Sequence, residues 1–187
     1  LFGLILYAMN VLLKACASLP EDGFLIQRII SGDESAFYAF YKKYARYVAG
    51  VAHRLLADNG EVDDVVQETF VTAFQKIKDL RTPEHARLWL AKIAVRRAQR
   101  RLTKCRFSSV FTKPPTETDD KLASCLDNLR DALGRIPQKL GEPWIMHQLE
   151  GWTIDEVASA LDISSATVKR RIAAADTKIR SKIDVYD

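Results

Sequence analysis

Asp64 and Glu68 stand four residues apart, with Gln67 beside them, in the acidic run Asp63-Asp64-Val65-Val66-Gln67-Glu68. On a helix that spacing puts both carboxylates on one face. Such a pair can hold Mg²⁺ for phosphodiester cleavage. It can also be a plain solvated face, or a docking surface for a basic or polar partner helix. No third ligand or general base stands nearby, which weighs against a nuclease. Further along, the charge reverses. Lys92, Arg96, Arg100 and Lys104 follow at intervals of four with Arg97 and Arg101 alongside, so one helix face becomes a ladder of cations. Between Ala86 and Arg106 there are eight Lys/Arg and no acid, whereas Asp58 to Phe70 holds five acids and no base. Opposite fields so close in sequence fit a protein with two differently charged partners.

A third constellation closes the chain. Thr153-Ile154-Asp155-Glu156 has the spacing of a capping box. Val157, Ala158 and Leu161 then share one face of a short helix, and Asp162-Ile163-Ser164 makes a turn, where Asp tolerates the left-handed backbone a tight turn needs, though less well than Gly would. Ser164 or Ser165 can cap the next helix, which buries Val168 and Ile172 and presents Ser165, Thr167, Lys169, Arg170 and Arg171. That is the layout of a helix-turn-helix whose recognition helix meets base edges while flanking cations hold phosphate. An ordinary helical hairpin with a solvated basic face has the same pattern.

The elements that must position these groups are all helical. After Pro20, Phe24 to Ile30 reads as a short helix ended near Gly32. Asp33 caps a long helix with a stripe of Phe37, Phe40, Tyr41, Tyr44, Val48, Val51, Ala52 and Leu55. Its aromatics can pack a core or stack bases, and the stripe favours the core. Asn59-Gly60 signals a turn before a helix from about Glu61 to Lys78 that buries Val62, Val66, Phe70, Phe74 and Ile77. Thr82-Pro83-Glu84 starts a third long helix, burying Trp89, Leu90, Ile93 and Leu102. Phe107 to Asp120, rich in Ser, Thr and Pro, reads as a linker. Leu122, Leu126, Leu129 and Leu133 mark a further helix ended by Gly134 and Pro137, and another helix lies around Pro143 to Glu150. The expected fold is all-α, in two small helical domains joined by a flexible linker. The boundaries are 1–23 for an N-terminal extension, 24–106 and 121–187 for the domains, and 107–120 for the linker.

At 187 residues, with 48% hydrophobic content and a net charge of +4, the chain is globular and mildly basic. Cys16, Cys105 and Cys125 are odd in number and form no metal pattern with the three His. No metal or cofactor is expected, and a reduced cytoplasmic setting fits best. Leu1 to Leu13 is almost wholly apolar, yet Lys14 follows that run rather than preceding it, unlike a signal peptide. A span would need about 20 apolar residues, so no direct membrane insertion is expected. Leu13-Lys14-Ala15-Cys16 is only faintly like a lipoprotein cleavage site. Met9 is the first methionine, and residues 1–8 are expected to lie upstream of the natural start.

Three segments together resemble the bacterial sigma-70 family, in particular its small extracytoplasmic-function (ECF) group. Asp64-Val65-Val66-Gln67-Glu68-Thr69-Phe70 is similar to the part that binds the clamp helices of the RNA polymerase β′ subunit. Leu88-Trp89-Leu90-Ala91-Lys92-Ile93-Ala94 with the Arg-rich run is similar to the part of sigma domain 2 that binds and opens the −10 element. Leu149-Glu150-Gly151-Trp152-Thr153 through Val168-Lys169-Arg170-Arg171 resembles the −35-reading helix-turn-helix of sigma domain 4. The resemblance implies a non-enzymatic initiation factor. It implies core docking through Asp64, Gln67 and Glu68, and −10 binding through Lys92, Arg96, Arg97, Arg100 and Arg101. Contact with the −35 element falls to Ser165, Thr167, Lys169, Arg170 and Arg171. Implied partners are core polymerase (β′ clamp helices and β flap), promoter DNA and an anti-sigma factor. Neutralising six or so phosphates would give a log–log salt slope on the order of −5, and melting would be driven by trapping unpaired bases.

The chain departs from its relatives at several positions. Arg96 stands where many carry an Asn that reads a flipped base. Asp162 replaces a frequent turn Gly. Gly141 and Pro143 interrupt a helix that relatives run continuously, so a late start or a kink is expected. Ala173-Ala174-Ala175-Asp176 replaces basic residues, leaving Lys178, Arg180 and Lys182 as candidates for −35 phosphate. Trp89 is expected to pack between helices rather than stack on DNA. A regulator with a degenerate sigma fold, unable to start transcription, and a metal-dependent nuclease are the alternatives.

Overall fold

The computed structural model describes residues 21–56, 58–80, 82–109 and 121–183. The N-terminal run through residue 20, and residues 110–120 of the expected linker, lie outside the described residues. Every regular element among the described residues is helical.

Helix α1 spans Glu21–Ile30 and is followed by Gly32 at φ +92°, a conformation that favours glycine. Asp33 then caps α2 (Glu34–Leu55), accepting from the Ser35 and Ala36 amides. Hydrogen bonds from the Ser35 hydroxyl first, then from the Arg28 guanidinium and the Ala36 amide, hold its carboxyl well below the usual range. Phe40, Val48, Val51 and Leu55 of α2 are fully buried, as the stripe predicts. Asp22 is nearly inaccessible and accepts from Lys43 Nζ at 2.6 Å and Tyr44 Oη at 2.5 Å, which fixes α1 against α2. Burial, aided by the Asp22 carboxylate, pushes the Tyr44 hydroxyl well above its ordinary pKa.

Helix α3 (Asn59–Lys76) starts two residues before the expected Glu61. Asp58, not Asn59-Gly60, sets the boundary by accepting from the Gly60 and Glu61 amides. Phe74 is 55% exposed rather than buried. It lies one turn beyond buried Phe70, and the Phe37 ring meets it edge-on with centroids 4.9 Å apart. A short 3-10 turn at Pro83–His85 leads into α4 (Ala86–Ser109), which continues three residues past the expected start of the linker. Thr82 supplies no side-chain cap there.

The second unit comprises α5 (Lys121–Arg135), α6 (Gln138–Trp144), α7 (Ile154–Leu161) and α8 (Ser165–Ile183). Gly134 lies inside α5 rather than ending it, and α6 begins at Gln138 with Pro143 within it. Pro143 has no N–H to give the carbonyl four residues back. The helix widens directly after it into a π turn, Ile145–Leu149, closed by the Glu150 amide on the Ile145 carbonyl at 3.1 Å. The interruption read at Gly141 and Pro143 is therefore a change of pitch.

α4 is the shared wall of the molecule. It packs against α2 and α3 on one side and against α5, α6, the π turn and α7 on the other. Buried apolar side chains form one cluster from Ile26 to Ile179, in which Leu90, Ala94 and Ala98 of α4 are fully buried. Small side chains and two glycines allow the approach. A Cβ on Gly134 would sit 3.1 Å from the Leu102 carbonyl oxygen.

Candidate nucleic-acid interface

The helix-turn-helix is built as its residues dictate. Thr153 Oγ1 accepts from the Glu156 amide at 3.2 Å while the Glu156 carboxylate accepts from the Thr153 amide at 2.7 Å, completing the capping box. Asp162 adopts φ 56°, ψ 50° and ends α7. Ser164 Oγ accepts from the Thr167 amide at 3.2 Å and so caps α8. Val168 and Ile172 face inward, Lys169 and Arg170 are exposed, and Arg171 is half-buried. Ser165 and Thr167 already have partners, Asp155 at 2.7 Å and the Ser164 hydroxyl at 2.9 Å. Asp176, the acid in the unexpectedly neutral stretch, accepts from the Trp144 indole at 2.5 Å and ties α8 to α6.

The acidic and basic sets of the first unit face each other across α3 and α4. Arg97 Nη1 reaches Glu68 at 3.2 Å and its Nη2 reaches Thr72 Oγ1 at 3.0 Å. Arg101 spans Asp64 at 3.0 Å and Glu68 at 2.6 Å. Those carboxylates are already charge-compensated, an arrangement that leaves little for a metal ion. Asp64 and Gln67 are exposed and Glu68 is half-exposed, along a shallow groove of about 390 Å³ that also includes Val71. Val71 is 52% exposed, and Phe74 follows it on the same face. This apolar continuation was missed in the sequence because the period of three and four made Phe74 a core residue.

Lys92 and Arg96 turn the other way, toward the second unit. Lys92 Nζ donates to the Ala160 carbonyl at 2.6 Å. Burial lowers its pKa, and the Arg96 charge adds to the effect. Arg96 grips Glu142 with two bonds, Nε at 2.6 Å and Nη2 at 2.9 Å, and Gln138 also donates to that carboxylate. Hydrogen bonding to Glu142 raises the Arg96 pKa further. Arg100 is exposed. The two units enclose a cleft of about 690 Å³ lined by Lys76, His85, Trp89, Lys92, Arg96 and Arg97 among others. Trp89 is half-buried, packed on the core on one side and facing this cleft on the other. The structure thus splits the predicted −10 set in two. Arg97 and Arg101 face the acids of α3, whereas Lys92 and Arg96 face the second unit. Glu142 and Glu150, which engage the first unit from across the seam, were not singled out in the sequence. Neither sits in a charge run.

Comparison with known proteins agrees with this layout. A model of Sigma-70 region 2 matches residues 40–107, and one of Sigma-70, region 4 matches residues 126–178. The two matches, in that order on a chain whose described elements are all helical, define the class: a sigma factor with regions 2 and 4. The chain belongs to the sigma-70 family, in its ECF group. It is 28% identical over 185 residues to the ECF RNA polymerase sigma-E factor of Haemophilus influenzae, covering 87% of this chain and 95% of that protein. The sigma-E factor of Escherichia coli is 26% identical, covering 87% and 94%. Among solved structures, CnrH in complex with the cytosolic domain of CnrY shares the fold, with a TM-score of 0.58, 24% identity and coverage of 89% of this chain and 99% of that one. Among the described residues, no helix is long and apolar enough to cross a membrane.

Proposed function

We propose that this chain acts as an ECF sigma factor through three surfaces, each placed on a separate helix. Its function is to direct core RNA polymerase to promoters, and it is not itself an enzyme. ECF sigma factors generally bind core polymerase, DNA and anti-sigma factors. In the proposed assignment, Asp64, Gln67 and Glu68 on α3 dock on the β′ clamp helices, with Val71 and Phe74 extending the contact into apolar surface. Lys92, Arg96, Arg97, Arg100 and Arg101 on α4 hold the −10 phosphates and the opened strand. Ser165, Thr167, Lys169, Arg170 and Arg171 on α8 read the −35 element in the major groove, with Lys178, Arg180 and Lys182 adding phosphate contacts. The second unit meets the β flap. The proposed domain limits are 24–106 and 121–187.

The observation that carries this reading is the placement of one acidic helix and one basic helix side by side, followed by a complete capped helix-turn-helix. CnrH was solved with the cytosolic domain of a second protein, which supports a protein partner here, proposed to be an anti-sigma factor. The test is reconstitution with core polymerase, with holoenzyme resolved by gel filtration and transcripts read from a promoter library. Wild-type chain is expected to assemble and to give specific starts, and the Asp64→Lys/Glu68→Lys variant to lose assembly. Assembly by that variant at the wild-type level sinks the docking assignment. Specific DNA binding without assembly or transcripts would instead mark a regulator on a sigma fold.

A further inference from the structure

Along the line where the two units meet, several cations have an electron-rich neighbour. Arg87 lies over the rings of Tyr47 and Trp152, 4.5 Å and 5.6 Å from their centroids. Arg54 of α2 donates twice to Glu150, Nε at 2.8 Å and Nη2 at 2.6 Å. Lys92 donates to the Ala160 carbonyl, and Arg96 to both oxygens of Glu142. One place breaks the pattern. A hollow of about 510 Å³ opens between α4, the start of α6, the end of α7 and α8, and Arg96, Arg100, Lys139 and Arg171 all line it. Glu142 is the one acid in its wall, and that carboxylate already accepts two bonds from Arg96 and one from Gln138. Among the described residues, Arg100, Lys139 and Arg171 have no acid within ion-pair distance. Arg100 and Lys139 are exposed, and Arg171 is half-buried.

We propose that this hollow binds a small polyphosphate anion, two or more linked phosphates that bridge Arg100 of the first unit to Lys139 and Arg171 of the second. Three like charges brought to one hollow repel one another, and an anion among them turns that repulsion into attraction. Two of the three are guanidiniums, whose planar fork matches a pair of phosphate oxygens, while the lysine adds a point charge. The donors stand on three different helices, so an anion whose charge is spread along a chain meets them better than one phosphate does. The volume falls within the roughly 300–1,000 Å³ of small-ligand sites. Pro137 and Leu161 add an apolar edge against which a nucleoside can rest. Free polyphosphate and a nucleoside polyphosphate therefore offer the same recognised chemistry. Promoter DNA fits the hollow less well. Arg100 and Arg171 are proposed for two separate promoter elements and Lys139 for neither, yet all three line this one space.

The experiment is titration calorimetry on the full chain, without divalent cations, using tripolyphosphate, adenosine triphosphate, orthophosphate and a short single-stranded DNA as probes. One tripolyphosphate is expected per chain, with orthophosphate binding at least about tenfold more weakly because it engages fewer of the donors. Lys139→Glu and Arg100→Gln should each weaken tripolyphosphate by about tenfold or more, the equivalent of one charge-assisted hydrogen bond. Lys42→Glu makes the same charge change as Lys139→Glu at an exposed site on α2 outside the hollow, and should leave the affinity within about twofold, since solvent and salt screen distant charges. Circular dichroism confirms that each variant remains helical. Adenosine triphosphate binding more tightly than tripolyphosphate identifies a nucleoside polyphosphate as the occupant, and equal affinity identifies the phosphate chain alone. No binding, or several anions per chain, overturns the proposal. So does equal weakening by Lys139→Glu and Lys42→Glu, which would reveal attraction to net charge only. An effect of Lys139→Glu without one of Arg100→Gln overturns the bridge between units. If Lys139→Glu weakens the single-stranded DNA as much as tripolyphosphate, the hollow belongs to nucleic acid and the proposal falls. Arg100→Gln also bears on the −10 assignment, whereas Lys139→Glu tests the hollow alone, so the two readings can fail separately.

Discussion

Two sets of ion pairs hang on the same helix and behave as opposites. On one side of α4, Arg97 and Arg101 meet Glu68 and Asp64 with the acids 41% and 59% exposed. On the other side, Arg96 meets Glu142, and nearby Arg54 meets Glu150, with acids almost shut from water. Pairs open to solvent are each worth about 0–1 kcal/mol, so a partner can exchange them at little cost. Pairs shut from solvent gain little by existing but lose much when one member is removed. The exposed set therefore suits a docking surface, here proposed to be shared between polymerase and DNA. The enclosed set suits a contact that is either fully made or fully broken. The acids of α3 proposed for polymerase and the bases of α4 proposed for DNA are paired with one another. Their opposite charges are matched to each other before any partner arrives.

The sharpest way to break this contrast is to remove one member of an enclosed pair. Glu150→Ala should cost about 3–5 kcal/mol with the two units packed, read from the urea midpoint, whereas Arg54→Leu/Glu150→Leu together should be close to neutral. Equal losses in the two variants would show that the pair itself stabilises the fold. Next in size, Arg97→Ala/Arg101→Ala should leave urea stability within about 1 kcal/mol while flattening the log–log salt dependence of promoter binding by about two. A large stability loss there would erase the difference between the two sides of α4. The smallest effect tests the helix-turn-helix scaffold. Thr153→Ala should destabilise by about 1 kcal/mol, and Asp162→Gly should stabilise by up to about 1 kcal/mol because its φ is positive. Thermal unfolding measures both, and a destabilising Asp162→Gly would mean that the Asp162 side chain matters more than its backbone.

Local chemistry made much of this readable. The Asp33 cap, the stripe of α2, the Thr153–Glu156 box and the left-handed Asp162 each depend on residues within a turn of one another, so spacing alone suffices. The resemblance to a known family, carried by residues 64–70, 88–94 and 149–171, supplied the function class that spacing could not. What escaped was non-local. Phe74 carries the right period but extends past the surface that would cover it. Glu142 and Glu150 find their arginines 46 and 96 residues away, and no periodicity encodes a contact across two units. The positions flagged as departures from the family gather at that seam. Arg96, Gly141 and Asp162 all touch or line it, and Pro143 sets the pitch beside it. The sequence marks them as unusual without saying that they meet.

The widened turn after Pro143 has its own implication. It inserts one residue more per loop than an α-helix would, so it works as a phase shifter between the two helical units. Removing a single residue from Ile145–Leu149 would swing everything beyond it by about 100° around the helix axis. Trp152 and Glu150 would then point away from α2 and α4, and α8 would be aimed along a different azimuth from α4.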